Sequence, residues 1–359
     1  MRKSGRRGSI AIPTLSSGFR MLRSNPVSWL IIALIVIFTS LYPRSFLSAT
    51  NLTSILKGFA VTSMLSIGPT LVVLMGSLDL SYMGIWLFGG ALVWLLFPYL
   101  GMASIIAYPL FGLALGFFNG IVQVKTKIPS FILTLAVTAV FSYLTTVIRN
   151  LSGLITLAVR EYQFLTYSPI PYLPMPFLLA LPVIVLDPAF WAISITFIPP
   201  EYGLPAIFYW SLLFWAVGIF ITLATPFGRK IYAIGGNLVG ARLAGINLSK
   251  VRILVFMLSS LFAGIAGILY VAQIQGVNMQ VGVLDTIPLF ASIVVGGTAL
   301  TGGVGGIHRT LLGVLIIRWL DSGMSMLGID YNVRMIVFGA VAIIMTIATI
   351  DRKRIKIMK

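Results

Sequence analysis

Residues 225–252 read TPFGRKIYAIGGNLVGARLAGINLSKVR, the longest polar and basic interruption in the C-terminal half of the chain. Long apolar runs flank it on both sides. Gly235-Gly236 end one segment, Asn237 has the side chain of a helix N-cap, and Leu238 to Ala244 supply about two helical turns. Gly245 suits the left-handed position after a helix, and Asn247 or Ser249 can cap the apolar helix that follows. Two readings of the stretch stand side by side. It is either an ordinary loop kept in water by Arg229, Lys230, Arg242, Lys250 and Arg252, or a short helix held between two membrane spans for a partner to grip.

The flanks decide the class. The chain is 58% hydrophobic and 9% charged, with mean hydropathy +1.04. No soluble core absorbs that much apolar surface, so the reading is an all-α, polytopic membrane protein. No polar stretch is long enough for a second domain, which makes residues 1–359 one membrane domain. Cysteine is absent and His308 is the only histidine, which excludes disulfides, thiol catalysis and histidine metal clusters. The net charge of +17 comes without the aromatic interleaving of a nucleic-acid groove and reads as a topology signal.

In chain order, a basic N-terminus (1–26) precedes a first span at Val27–Tyr42, read as an uncleaved signal anchor. Further spans are expected at Asn51–Met75 (capped by Asn51), Tyr82–Phe97, Met102–Gln123 and Phe131–Ile148. Residues 149–205 hold a cluster of prolines and read as an external loop or membrane-dipping hairpin. Ala206–Ala224 and Ile253–Ala272 flank the opening stretch. Pro288–Thr301, interrupted by Gly296-Gly297, is either a thin eighth crossing or a broken helix. Thr310–Leu320 and Val333–Ile350 complete about ten crossings with both termini cytoplasmic. That topology puts most of the 25 lysines and arginines on the cytoplasmic side.

Several stretches resemble one family. GGNLVGARLAGI resembles the G-G-N-x-x-A-A-R-L-S-G-I motif of ribose-type permease subunits of ATP-driven (ABC) importers, and MGSLDLS resembles that family's T-G-G-I-D-L-S turn. LGFFNGIVQVKTKIPSFILTL and VVGGTALTGGVGGIHRTLLGVLI resemble two further family segments, in the family's order. His308-Arg309, Tyr82-Met83 and the long proline-rich loop depart from the pattern. The resemblance implies a permease that works as a pair, a second copy or a homologue, above an ABC ATPase subunit and beneath an extracytoplasmic solute-binding protein. It gives Gly235, Gly236, Asn237, Leu238, Val239, Ala241, Arg242, Leu243 and Gly245 the role of a coupling helix seated in the ATPase. Leu238, Val239 and Leu243 would form its apolar docking face and Arg242 a polar anchor, with the glycines letting it rock.

The chain has no phosphate loop of its own, so ATP belongs to the partner and no cofactor is expected here. A monosaccharide is the expected solute, with nucleosides and branched-chain amino acids as alternatives in related permeases. Asp79 is either a solute ligand or, with Ser81 competing, a helix cap at the cytoplasmic edge. Asn119 either faces the pathway or bonds a neighbouring helix. Gly296, Gly297 and Thr298 are expected in close packing along the pathway, as a flexible gate. Phenylalanine and tryptophan are expected mostly against membrane lipid. An ion-coupled secondary transporter would need acids near the midplane. All eight acids are read in turns, loops or span ends.

Overall fold

The computed structural model describes residues 26–100, 102–159, 206–274 and 286–349. Residues 1–25 of the basic N-terminus and residues 160–205 of the proline-rich segment lie outside the described part. Among the described residues the chain is helical throughout. The helices are α1 (Pro26–Leu41), α2 (Pro43–Phe46), α3 (Ala49–Leu74), α4 (Ser81–Leu100), α5 (Met102–Thr126), α6 (Ser130–Val159), α7 (Ala206–Ile219), α8 (Pro226–Gly236), α9 (Leu238–Leu243), α10 (Leu248–Ile274), α11 (Thr286–Val295), α12 (Ile307–Met326) and α13 (Tyr331–Thr349). Within α3, α6, α10 and the α7 region lie segments long and apolar enough to cross a membrane. This is a multi-pass membrane protein.

Helix α10 is the axis of the bundle, packed by α3, α4 and α5. Its contact with α5 follows from sequence. Gly112, Gly116 and Gly120 recur every fourth residue and form a groove along one face of α5. A Cβ at Gly116 would lie 2.4 Å from the Phe256 carbonyl oxygen, and one at Gly120 would lie 2.7 Å from the Ile253 Cα. Only bare backbone lets the two helices approach that closely. Around this contact Tyr82, Ile85, Ala263 and Ala266 are fully buried. A second apolar cluster joins α11, α12 and α13 through Ala291, Val294, Ile317 and Phe338.

Several boundaries move from the sequence reading. Ser48, rather than Asn51, caps α3, its hydroxyl oxygen accepting from the Asn51 amide. Helix α6 continues to Val159 because Asn150, Ser152 and Gly153 lower helix propensity without removing a hydrogen bond, and the first proline comes only at Pro169. Helix α12 runs past Leu320 to Met326. The interrupted segment is a broken helix: α11 has 10 residues, a rise of about 15 Å, half the hydrocarbon thickness. Its end is closed by Gly297 at φ +84, with the Gly297 amide donating to Val294 O and the Thr298 amide to Ile293 O. The aromatic residues do not all face outward: Phe46, Phe256 and Phe338 are among the most deeply buried side chains.

Candidate functional site

One end of the bundle gathers the turn after α3, the α5–α6 connection, the α8–α9 segment and the turn between α11 and α12. Helix α7 unwinds into a π turn at Phe220–Ala224, and Thr225 then caps α8 by accepting from the Gly228 amide at 3.1 Å. Helix α8 ends at Gly236, Asn237 turns the chain, and its Oδ1 accepts from the Gly240 amide at 2.9 Å to start α9. At the far end Gly245 adopts φ +78. Its amide donates to Arg242 O and that of Ile246 to Ala241 O, a Schellman closure. Asn247, not Ser249, caps α10 through the Lys250 amide.

A six-residue helix is marginal in water by itself, so caps at both ends are what define α9. Its side chains divide sharply. Ala241 is 4% exposed and seats the helix, whereas Val239 and Leu243 are 68% and 83% exposed. Leu238 and Arg242 also lie on the open side.

Beneath α9 three backbone segments touch. The Gly303 amide donates to Leu74 O at 2.9 Å. A Cβ at Gly235 would lie 1.9 Å from that same carbonyl and 2.5 Å from the Gly303 nitrogen. A Cβ at Gly302 would meet the Gly76 nitrogen at 2.7 Å. Tyr232 adds a side-chain tie, its hydroxyl donating to Gly305 O at 2.9 Å. Gly235 is thus wedged into the end of α3 and the α11–α12 turn, while Gly236 has nothing within 4 Å of an added Cβ.

The remaining singled-out residues sit in two buried polar networks. Asp79 is fully buried. Its Oδ1 accepts from the Ser81 amide at 2.8 Å and the Ser81 hydroxyl at 2.6 Å, and its Oδ2 accepts from the Ser259 hydroxyl at 2.6 Å. Asp79 therefore caps α4, and Ser81 donates to it instead of competing with it. From the turn after α3 its carboxylate reaches inward: Ser259 is eleven residues into α10, about 16 Å from the start of that helix. Asn119 is fully buried and donates from Nδ2 to Ser81 Oγ at 3.0 Å, a bond between helices.

In the second network the Thr70 hydroxyl donates to Thr310 Oγ1 at 3.1 Å, and Thr298 Oγ1 lies 3.3 Å from the same oxygen. Thr298 also accepts from the Gly306 amide. Gly296 and Gly297 form the cap of α11, against the first turn of α12.

Sequence reading passed over a third cluster, at the opposite end of the bundle. Arg334 donates to Asp321 Oδ1 at 2.7 Å, Arg318 lies 3.6 Å from Oδ2, and Arg318 also bonds Thr62. Ser322 donates to Asn51 nearby at 2.8 Å. Asp321 lies inside α12 rather than at a span end, its charge met by two arginines. The i, i+3 spacing of Arg318 and Asp321 was the available signal.

An apolar helical bundle with irregular backbone buried at one end, and a capped, outward-facing short helix beside it, is the architecture of a membrane transport component. The chain belongs to the family described as branched-chain amino acid transport system / permease component, which it matches over residues 51–346. It is 31% identical to the xylose transport system permease protein XylH of Escherichia coli (strain K12), over 93% of this chain and 94% of that protein. It is also 31% identical to the ribose import permease protein RbsC of Bacillus subtilis (strain 168), over 89% of this chain and 90% of that one. The ribose import permease protein RbsC of Escherichia coli (strain K12) is 30% identical over 90% and 92%. No solved structure gives a significant match.

Proposed function

We propose that this chain is the membrane-spanning permease subunit of an ATP-driven monosaccharide importer, with α9 as the helix through which a separate ATPase drives it. The observation that carries the reading is the division of α9. Both ends are capped and Ala241 is seated, while Leu238, Val239, Arg242 and Leu243 are turned out with nothing among the described residues to cover them. An exposed apolar face with one cation, fixed in shape, fits a cleft in a soluble partner. Lys125, Lys127, Arg229, Lys230, Arg242, Lys250 and Arg252 stand in the segments gathered at that end, which supports a cytoplasmic location for it and for both termini.

The solute is assigned from relatives that cover nearly the whole chain and whose names specify xylose and ribose. ATP is bound by the ATPase subunit, an extracytoplasmic solute-binding protein delivers the sugar, and a second permease, identical or homologous, completes the pathway. Within this chain Asn119, Gly296, Gly297 and Thr298 act on that pathway through helix placement. Among the described residues ion coupling gains no support, because both Asp79 oxygens are taken by hydrogen bonds, Asp321 is paired, and Asp330 lies in the α12–α13 turn, accepting from the Asn332 amide.

The test is the double substitution Arg242→Glu with Leu243→Glu. Both side chains face outward, so the protein should fold and melt as the wild type does. ATP-driven pentose uptake should nevertheless be lost. Uptake at the wild-type rate would remove α9 from the coupling role.

A further inference from the structure

Beside the proposed coupling segment the structure holds a polar cleft of about 450 Å³ between the turn after α3, the α5–α6 connection and the start of α10. Lys127 and Arg252 both line it, and among the described residues no acidic one does. Asp79, close by in sequence, is turned away into the bundle and held by Ser81 and Ser259. The α6 N-terminus opens into the same space: Ser130 and Phe131 line it, and their amides are among the first-turn donors that a helix leaves without an intrahelical partner. Gln123 also lines the cleft, is 5% exposed, and has a buried Oε1 with no hydrogen-bond partner among the described residues. The Arg252 Nε is likewise buried and unpartnered.

Buried polar atoms without partners are rare because each costs the desolvation of the group. Two of them belong to residues that line this cleft, one an acceptor and one a cationic donor, each closed to solvent as the side chains stand. The volume is in the range of small-ligand sites. Two cations and a helix N-terminus select an anion, and their N–H geometry suits phosphate oxygens. An unpartnered amide oxygen adds a requirement that a bare anion does not meet, namely a hydroxyl donor on the same ligand.

We propose that this cleft binds a phosphate ester carrying a free hydroxyl. The phosphate sits between Lys127, Arg252 and the start of α6, and the hydroxyl donates to Gln123 Oε1 once the amide makes the half-turn that exchanges its oxygen and nitrogen. Two sources share that chemistry: a phosphatidylglycerol headgroup from the adjoining leaflet and a soluble polyol phosphate. Phe131, at the rim and 47% exposed, begins the bare apolar face of α6, against which an acyl chain would run. The inference does not depend on the solute or on the direction of transport.

The test uses the full-length chain purified in a neutral detergent, as wild type, as Lys127→Gln with Arg252→Gln, and as the charge-preserving Arg252→Lys. Each is titrated with phosphatidylglycerol, phosphatidylcholine and glycerol 3-phosphate, reading bound adducts by native mass spectrometry and thermal shift by intrinsic fluorescence. Phosphatidylglycerol retained by wild type and Arg252→Lys, and held at least about tenfold more weakly by the double variant, supports the site and assigns it to lipid. The same pattern with glycerol 3-phosphate supports the site and assigns it to a soluble ligand. Equal retention of every probe by wild type and the double variant, or retention of phosphatidylcholine as strongly as phosphatidylglycerol with no response to glycerol 3-phosphate, overturns it. Arg252→Lys separates a folding defect from a binding one: loss in that variant together with a collapsed melt would move the comparison to Lys127→Gln alone, whose side chain is exposed.

Discussion

Alanine at Gly235 would place a methyl carbon 1.9 Å from the Leu74 carbonyl oxygen and 2.5 Å from the Gly303 nitrogen. Ordinary contact begins near 3.4 Å, so the neighbours must retreat by about 1.5 Å. Both are backbone, and no rotamer change relieves the clash. The retreat pulls α8 off the end of α3 and opens the Gly303 N–H bond to Leu74 O. Over-packing costs about 1–3 kcal/mol, and a buried backbone pair left unmade costs about as much again. A loss of about 4 kcal/mol is the central value.

Gly236 is the internal control. It lies one residue on, without positive φ and with open space around an added Cβ, so Gly236→Ala should be neutral or stabilising by about 0.4–1 kcal/mol. The assay is thermal unfolding of the full chain in detergent, followed by intrinsic tryptophan fluorescence. Gly235→Ala should melt at least about 5 °C below wild type, with Gly236→Ala at or above it. Coincident melts for the two variants would refute the claim that the junction beneath α9 is closed backbone against backbone.

Two further outcomes follow from the buried polar groups. Asp79→Ala strands the Ser259 hydroxyl and the Ser81 amide and should cost about 3 kcal/mol. Asp79→Asn should cost less, and uptake in the Asn variant should stay insensitive to an uncoupler; a sensitivity present in wild type and lost in that variant would make Asp79 a coupling acid. Burial, partly offset by Arg309, pushes the Tyr232 hydroxyl from 10.0 up to about 12. A raised folded-state value contributes stability that is complete below pH 10 and disappears as pH rises through about 12. The difference in melting temperature between wild type and Tyr232→Phe should therefore be constant up to pH 10 and shrink above it; parallel curves to pH 12 would contradict the assignment.

The legible parts of this chain are those fixed by local chemistry. Asn237, Gly245 and Asn247 announce the ends of α9 and the start of α10 because a cap needs only a few adjacent residues. The apolar spans announce themselves by composition. What stayed hidden depends on which face of an all-round apolar helix meets which neighbour, and periodicity is silent there. Nothing local in Gly112, Gly116 and Gly120 says that their partner is α10, more than a hundred residues away. Nor does LDLS say that its carboxylate reaches a serine deep in the same helix. The polar interruptions misled in the other direction. From sequence the spans stop at Ile148 and Leu320, short of Asn150 and Asp321, yet neither residue removes a backbone donor, and α6 and α12 continue through them.

The wedged position of Gly235 changes how coupling through α9 has to work. If the flanking glycines were loose, a push on Leu238 or Leu243 would dissipate in the linkers. Gly236 and Gly245 do have open space, but Gly235 is locked against α3 and the α11–α12 turn, with Tyr232 as a second tie to that turn. A displacement of α9 passes on one side through residues 245–247 into α10, and on the other through Gly236-Asn237, with the Gly236 backbone set against Gly303, into a body that already includes the ends of three elements. Two of these, α3 and α12, are joined again by the Thr70–Thr310 bond. A rigid junction next to a short pivot transmits motion as rotation rather than bending. The proposed ATPase stroke would accordingly reach the broken helix α11 through Gly235 and the start of α10 through residues 245–247, and the α5–α10 groove, whose glycine packing leaves little room to slide, would move as one piece.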